Sequence, residues 1–332
     1  MGYAGRLPPR PRHPRLRMAA APEVGRSMKT LVLLALSALS APAATFYLNM
    51  AGIGGETDYT QRFKMWAEDI DGSLKKAGGE SQVTTLIAPT REQVRARFSE
   101  IAKQAKPTDS VVVILIGHGT YDGQDYKFNI QGPDITSAEL AALMDKIPAQ
   151  RQLVVNMTSC SGGSIDQLRR PNRIVITATK TGSEKNATNF ARYFAEALRE
   201  PAADTDKNES ISALEAFRYA QAKTTEFFDT QKRLATEHSV IEDTGKGSGE
   251  RAATAENGQG KLASSFTVVR LGANAAAARD PKKRPLLDKK EQLEQAIEKL
   301  KFEKAAMPAQ AYKQQLTALL LELAKTQEAL DQ

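Results

Sequence analysis

The sequence predicts an α/β fold: a six-stranded, mostly parallel sheet with helices on both faces, followed by a C-terminal α-helical hairpin. Three observations carry this expectation. The runs Val111–Ile116 and Leu153–Asn156 are continuous and rich in β-branched residues, as strands buried on both faces of a parallel sheet are. Shorter strand-like runs alternate with amphipathic helical stretches, which is the pattern of a doubly wound sheet. Finally, apolar residues recur at helical spacing on both sides of Met307-Pro308 near the end of the chain.

In chain order, Thr45–Met50 reads as the first strand and ends in the glycine turn Ala51-Gly52-Ile53-Gly54-Gly55. A helix through Phe63, Trp66, Ile70 and Leu74 follows, then a strand at Val83–Ile87 and a helix at Arg91–Gln104. After the Val111 strand, Tyr121–Pro133 has the polar-aromatic character of a hairpin loop. Ser137–Ile147 reads as a helix capped by Thr136 or Ser137. Beyond the Leu153 strand come a strand at Arg173–Ala178, helices at Ala187–Arg199 and Ile211–Phe228, and a sixth strand at Ser264–Leu271 expected to close the sheet. Ala273–Pro285 reads as a linker, and two helices in an antiparallel hairpin complete the chain. The expected organisation is therefore 1–43 as leader, 44–272 as the main domain, 273–285 as linker and 286–332 as hairpin. The apolar stripe of that hairpin must be covered by its own domain, a partner or a second copy, so self-association is one expectation.

The formal charge of +7 is concentrated in the leader: seven of the 46 Lys and Arg precede residue 44, against one acid. The remainder is nearly neutral and lacks aromatics interleaved with basic residues, which argues against a nucleic-acid partner. Met28-Lys29-Thr30, the apolar run Leu31–Leu39 and Ala41-Pro42-Ala43 have the three parts of a secretory signal. Residues 1–27 read as an upstream extension with Met28 as the true start. The expected location is therefore exported, periplasmic or secreted, with no stable membrane span after signal cleavage.

Chemistry concentrates where the two central strands end. In open α/β sheets the ligand crevice lies off the carboxyl ends of the strands. One strand breaks into Gly117-His118-Gly119, and the other into Thr158-Ser159-Cys160-Ser161-Gly162. Cys160 is the only cysteine, so it has no disulfide role within the chain. Its small polar neighbours predict an accessible sulfur. A thiol attacking a carbonyl needs a base and oxyanion donors. His118 is the expected base and should lower the thiol pKa when cationic. The amides of Gly119 and Cys160 are the expected oxyanion donors. His238 is a reserve base.

These residues resemble the legumain-type (haemoglobinase-like) cysteine peptidases, which belong to the same clan as caspases. The match comprises the strand ending in His118-Gly119, the strand ending in Cys160 with Ser161-Gly162 after it, Ala178-Thr179, and the early glycine turn followed by Tyr59. It covers about residues 45–271, and Ile211–Phe228 and Arg233–Asp243 look similar to bacterial exported members. The resemblance implies a caspase–haemoglobinase-like fold and a cysteine endopeptidase acting on peptide or protein substrates, with Cys160 as nucleophile and His118 as general base. No cofactor is required for that chemistry. Thr158 and Thr60 stand where legumains carry an acid and an arginine that read asparagine, so the substrate pocket is assigned more broadly to Asp58, Tyr59, Arg62 and Thr158.

A second constellation runs from Asp204 to Glu215. Asp204, Asp206, Asn208, Ser210 and Glu215 have the oxygen-ligand spacing of a calcium loop, with Ser212 between them and Glu209 where glycine is usual. Two readings stay open: a structural calcium, or an acidic helix-capping loop without metal. Two other functions also stay open, a transpeptidase or ligase using the same dyad and a catalytically inert calcium-braced binding module.

Overall fold

The computed structural model describes residues 1–2 and 43–332. The expected signal, up to Pro42, and its upstream extension from residue 3 lie outside the described residues. The chain divides into the units Met1–Ala41 and Pro42–Gln332, and the fold below is that of the second.

Its strands are β1 (Thr45–Ala51), β2 (Ser81–Ile87), β3 (Ser110–Ile116), β4 (Gly119–Tyr121), β5 (Tyr126–Phe128), β6 (Ile135–Thr136), β7 (Arg151–Asn156), β8 (Arg173–Thr177), β9 (Ser210–Ser212), β10 (Val240–Glu242) and β11 (Thr267–Arg270). Its helices are α1 (Thr57–Lys76), α2 (Arg91–Gln104), α3 (Ser137–Asp145), α4 (Ile165–Leu168), α5 (Phe190–Ala197), α6 (Ala213–Thr230), α7 (Lys261–Ser264), α8 (Gly272–Ala277), α9 (Arg284–Glu303) and α10 (Ala309–Asp331).

The main sheet runs β10-β8-β7-β3-β1-β2. Its first five strands in chain order are parallel, and β10 adds antiparallel to β8 with Val240 opposite Thr177. The six-stranded, mostly parallel expectation therefore holds, but the sixth strand is not the expected one. Ser264–Leu271 does not close the sheet: its strand part, β11, pairs with β9 in a separate two-stranded ladder. The edge place is taken by the three residues of β10.

Burial on both faces explains the unbroken apolar runs. Val112, Ile114 and Ile116 of β3 face one cluster, shared with α1, α5 and α6. Val111, Val113 and Leu115 face a second cluster, shared with α2 and α3. Each such side chain contributes roughly 1.5–3 kcal/mol on leaving water. Local signals set the helix starts. Thr90 Oγ1 accepts from Gln93 N (3.3 Å) while the Gln93 side chain accepts from Thr90 N (2.8 Å), a capping box that opens α2 at the expected residue.

The expected linker is folded. α8 occupies its first part, with Ala275, Ala277 and Ala278 buried. The hairpin helices form as expected, and α9 buries Leu287, Ile297 and Leu300. Arg270 of β11 pairs with Glu291 at 2.5 and 2.9 Å, tying α9 to its own domain. Leu320 and Leu321 of α10 stay exposed. No helix among the described residues is long and apolar enough to cross a membrane.

Candidate active site

Strands β3 and β7 are adjacent and parallel, with Leu115 opposite Asn156, so their carboxyl ends open on one rim. His118 lies two residues past β3 and Cys160 four residues past β7, which places both expected residues there. The two loops are pressed together. A Cβ at Gly119 would sit 2.5 Å from the Ser159 carbonyl oxygen and 2.5 Å from the Tyr126 ring, so only glycine fits. The Ser159 hydroxyl accepts from Gly119 N–H and donates to Gly119 C=O, both at 3.1 Å.

His118 is half-buried against α1. Its ring meets Tyr59 and Phe63 edge-on, with centroids 4.8 and 5.0 Å away. Burial pushes its pKa below the ordinary value, and the Gly54 backbone and the Glu56 charge oppose that shift. The ring is therefore a neutral base near pH 7.

Cys160 is only 2% exposed, in the cluster that contains Tyr126 and Ile165 on the opposite face of the sheet from Phe63. The expected accessible sulfur is thus corrected. The small neighbours serve tight backbone packing rather than exposure: a Cβ at Gly162 would lie 2.3 Å from the Lys180 carbonyl carbon. Burial pushes the thiol pKa up, and the Lys185 charge and the Tyr121 backbone only partly oppose it. The thiol pKa is thus raised, where a lowering by a cationic His118 was expected. Cys160 itself adopts φ 59° and ψ 8°, a left-handed conformation that is uncommon for a non-glycine residue.

The expected oxyanion donors are both engaged. Cys160 N–H donates to the Glu184 carbonyl at 2.8 Å, and Gly119 N–H donates to Ser159 Oγ. Neither points into open space in this arrangement. Glu184 belongs to residues 180–189, a strap between β8 and α5 that the sequence reading did not single out. The Glu184 carboxylate accepts from His238 N–H at 3.0 Å and lies 3.0 Å from His238 Nδ1. His238 is therefore a partner of the strap rather than a spare base. Thr188 Oγ1 donates to the Met157 carbonyl at 2.6 Å, tying down the far end. The adjacent acid and histidine Glu237-His238, which hold Asn189 and Glu184 respectively, were the sequence signal that could have pointed here.

The expected pocket residues separate. Thr158 is fully buried, its hydroxyl bonded to Tyr126 OH (2.6 Å) and Asn156 Oδ1 (2.9 Å), so it supports the Cys160 loop and lines no substrate pocket. Asp58 is exposed and lies 3.8 Å from Arg62. Tyr59 and Arg62 do line a cavity of about 280 Å³ beside His118.

The acidic loop brings three of the expected carboxylates together. One carboxylate oxygen from each of Asp204, Asp206 and Glu215 lies within 4.8 Å of the others. Glu209 takes φ 62°, the conformation glycine normally supplies there, and its carboxylate accepts from Ala273 N–H (2.8 Å) at the start of α8. Burial, and after it the Glu215 and Asp204 charges, push Asp206 up to about 6. The fit is incomplete in two respects. Glu215 Oε2 accepts from Ser212 N–H and Oγ–H, and Oε1 from Thr205, as a capping-box residue does. The Ser210 hydroxyl is likewise turned to Asn274 Nδ2 at 3.2 Å. Lys290 of α9 reaches the Asn208 carbonyl at 3.3 Å, linking the hairpin to this loop.

The peptidase C13 family model matches residues 76–246 of this chain. Solved structures similar to it include the initiator caspase Dronc of Drosophila, at 12% identity over 70% of this chain and 94% of that one, with a TM-score of 0.42. Caspase-1 from Spodoptera frugiperda is 13% identical over 61% of this chain and 86% of that one, with a TM-score of 0.44. Protein GSU0716 from Geobacter sulfurreducens is 13% identical over 60% of this chain and 93% of that one, with a TM-score of 0.42. No curated protein sequence matches the chain.

Proposed function

The chain belongs to the peptidase C13 family and is a cysteine-type peptidase, a hydrolase acting on peptide or protein substrates; from that premise we propose that Cys160 is its nucleophile and His118 its general base. The observation that supports this reading is the register of β3 on β7, which puts the chain's only thiol and a neutral imidazole at one rim. The Cys160 sulfur attacks the scissile carbonyl carbon as its proton passes to His118, and the tetrahedral intermediate expels the amine, which takes that proton. Water, deprotonated by His118, then cleaves the acyl-thioester and restores the thiol.

In this proposal the strap must move before chemistry. Releasing Cys160 N–H from the Glu184 carbonyl, and Gly119 N–H from Ser159, frees two donors for the oxyanion and uncovers the sulfur. The raised thiol pKa makes the resting enzyme a poor target for alkylation. Iodoacetamide should label Cys160 more slowly than free cysteine at pH 7, and a bound peptide should accelerate it. Labelling faster than free cysteine without peptide would contradict a closed resting site. His118→Ala should lower kcat/KM about 10³-fold or more without changing the melting temperature greatly, because the ring is half-exposed. The sign of the pH dependence follows: burial lowers the imidazole pKa, so the acid limb of kcat/KM should fall below the ordinary histidine value of about 6.5.

The enclosed thiol is also the observation that would favour an inert binding module. Cys160-dependent hydrolysis of any peptide excludes that reading. Product masses with and without an added amine separate hydrolysis from ligation by the same acyl-thioester.

We further propose that Asp204, Asp206, Asn208 and Glu215 hold a structural calcium, supported by the three converging carboxylates and the left-handed Glu209. Calcium at a hundred times its Kd would add about 2.7 kcal/mol, or roughly 5–10 °C in Tm, and Asp204→Asn should remove the shift. An unchanged Tm in calcium against chelator would leave the loop as a helix cap. Export is likewise our proposal, resting on residues 28–43; N-terminal sequencing of the mature protein from fractionated cells tests it.

A further inference from the structure

We propose that the cavity between α1 and the strap is a specificity pocket for an acidic side chain of the substrate, held by Arg233 and Arg62. The proposal rests on the peptidase reading above and names the substrate class of that same site. The cavity measures about 280 Å³, room for one side chain, and its lining contains two arginines and no carboxylate. Tyr59, Trp66 and Phe228 form apolar walls, and Asn186 of the strap closes one side.

Its position ties it to the reacting groups. Tyr59, on its wall, is the ring that packs edge-on against His118 at 4.8 Å. Asn186 is two residues from Glu184, whose carbonyl accepts the Cys160 N–H. A side chain seated here would belong to a residue close to the scissile bond and would press on the strap that holds the Cys160 N–H.

The electrostatics select the occupant. Arg233 has no carboxylate within 4 Å among the described residues, and the only one near Arg62 is the exposed Asp58 at 3.8 Å. Glu237, the buried acid next in sequence to Thr236 of the lining, is committed to Asn189 and Phe190 backbone N–H groups at 2.7 and 3.1 Å. Two guanidinium groups offer forked donors that match the two oxygens of a carboxylate. An amide would fill the same space but present an NH₂ to cationic donors, and a lysine would meet like charge.

The cavity carries its own reporter, since Trp66 is the only tryptophan of the chain. The Cys160→Ala protein, which keeps the pocket and prevents turnover, is titrated with acetyl-Ala-Ala-Glu-Ala-amide and with its Gln counterpart while Trp66 fluorescence is followed. The Glu peptide should bind about tenfold tighter, the worth of charge-assisted contacts at a partly exposed site. Arg233→Gln should remove most of that ratio, and Arg233→Glu should turn the preference toward a Lys peptide. Both arginines are exposed, so neither change threatens the fold. Tetra-alanine with a free C-terminus, tested against its amide, separates a side-chain carboxylate from a terminal one; tighter binding of the free acid alone overturns the side-chain assignment. Equal affinity for Glu and Gln peptides, no saturable Trp66 change, or selectivity surviving in the Arg62→Gln/Arg233→Gln protein also overturns it. The two readings fail separately. Wild-type hydrolysis without Glu preference leaves the peptidase assignment standing, whereas Glu-selective binding without hydrolysis leaves the pocket standing.

Discussion

Replacing Cys160 by alanine is expected to reduce peptide hydrolysis about 10⁴-fold or more while leaving the fold in place. No second cysteine exists to substitute for it, and His118 alone can only activate water. The structural cost should be small. One sulfur atom leaves a buried site, which is worth on the order of 1 kcal/mol. The left-handed backbone at position 160 is already imposed by the Glu184 carbonyl on one side and by Gly163 N–H bonding to the Cys160 carbonyl at 2.9 Å on the other. Alanine tolerates that conformation about as well as cysteine does. Initial rates on a diverse peptide library, read beside melting curves of both proteins, check the prediction. Residual hydrolysis within tenfold of wild type, with an unchanged Tm, would mean that the thiol is not the nucleophile.

The features of the fold that were legible in the sequence are those driven by burial over several residues. Val111–Ile116 and Leu153–Asn156 have polar neighbours only at their ends, and both are central strands. Helix starts with a side-chain cap, such as Thr90 and Thr136, came out at the right residue because capping is a local interaction. The sixth strand failed for the opposite reason. Thr267–Arg270 has the stronger β pattern, but partner choice is not local: β9 emerges from the acidic loop antiparallel to it. Val240–Glu242 is too short to announce itself and is fixed by pairing with β8.

At the site, the placement of the two expected residues was legible and their surroundings were not. His118 and Cys160 reach the same rim, because parallel neighbours must end together. The Cys160 amide is held by Glu184, 24 residues downstream in another loop, and no spacing rule speaks to that. Thr158 misled in the same way. Its place before the cysteine suggested a pocket wall, while its hydroxyl completes a buried network with Tyr126 and Asn156.

The strap makes the largest expected stability effect a test of function as well. Glu237 is 4% exposed, and its carboxylate accepts from Asn189 N–H (2.7 Å), Asn189 Nδ2 (3.1 Å) and Phe190 N–H (3.1 Å). It is the anion at the start of α5, whose Phe190 and Phe194 are fully buried. Glu237→Ala would leave two backbone donors without partners and open a cavity, at a cost of about 3 kcal/mol or more. For a domain of this size that is a fall of roughly 6–12 °C in Tm. Glu237→Gln should be milder, since its oxygen still accepts one bond, although its NH₂ then faces the second donor. Burial raises the Glu237 pKa, so the folded protein holds its proton more tightly than the unfolded chain. Ionisation of the buried carboxyl therefore costs stability above the folded pKa, that cost is relieved as the pH falls through it, and the wild-type advantage over Glu237→Gln should widen on acidification rather than vanish. The neighbouring His238 grips Glu184, and Glu184 covers the Cys160 amide. Well below its Tm, the Glu237→Ala protein should therefore show faster alkylation of Cys160 than wild type. A lower Tm with unchanged alkylation would mean that α5 is anchored independently of the strap, and that access to the sulfur does not depend on the Glu184–Cys160 hydrogen bond.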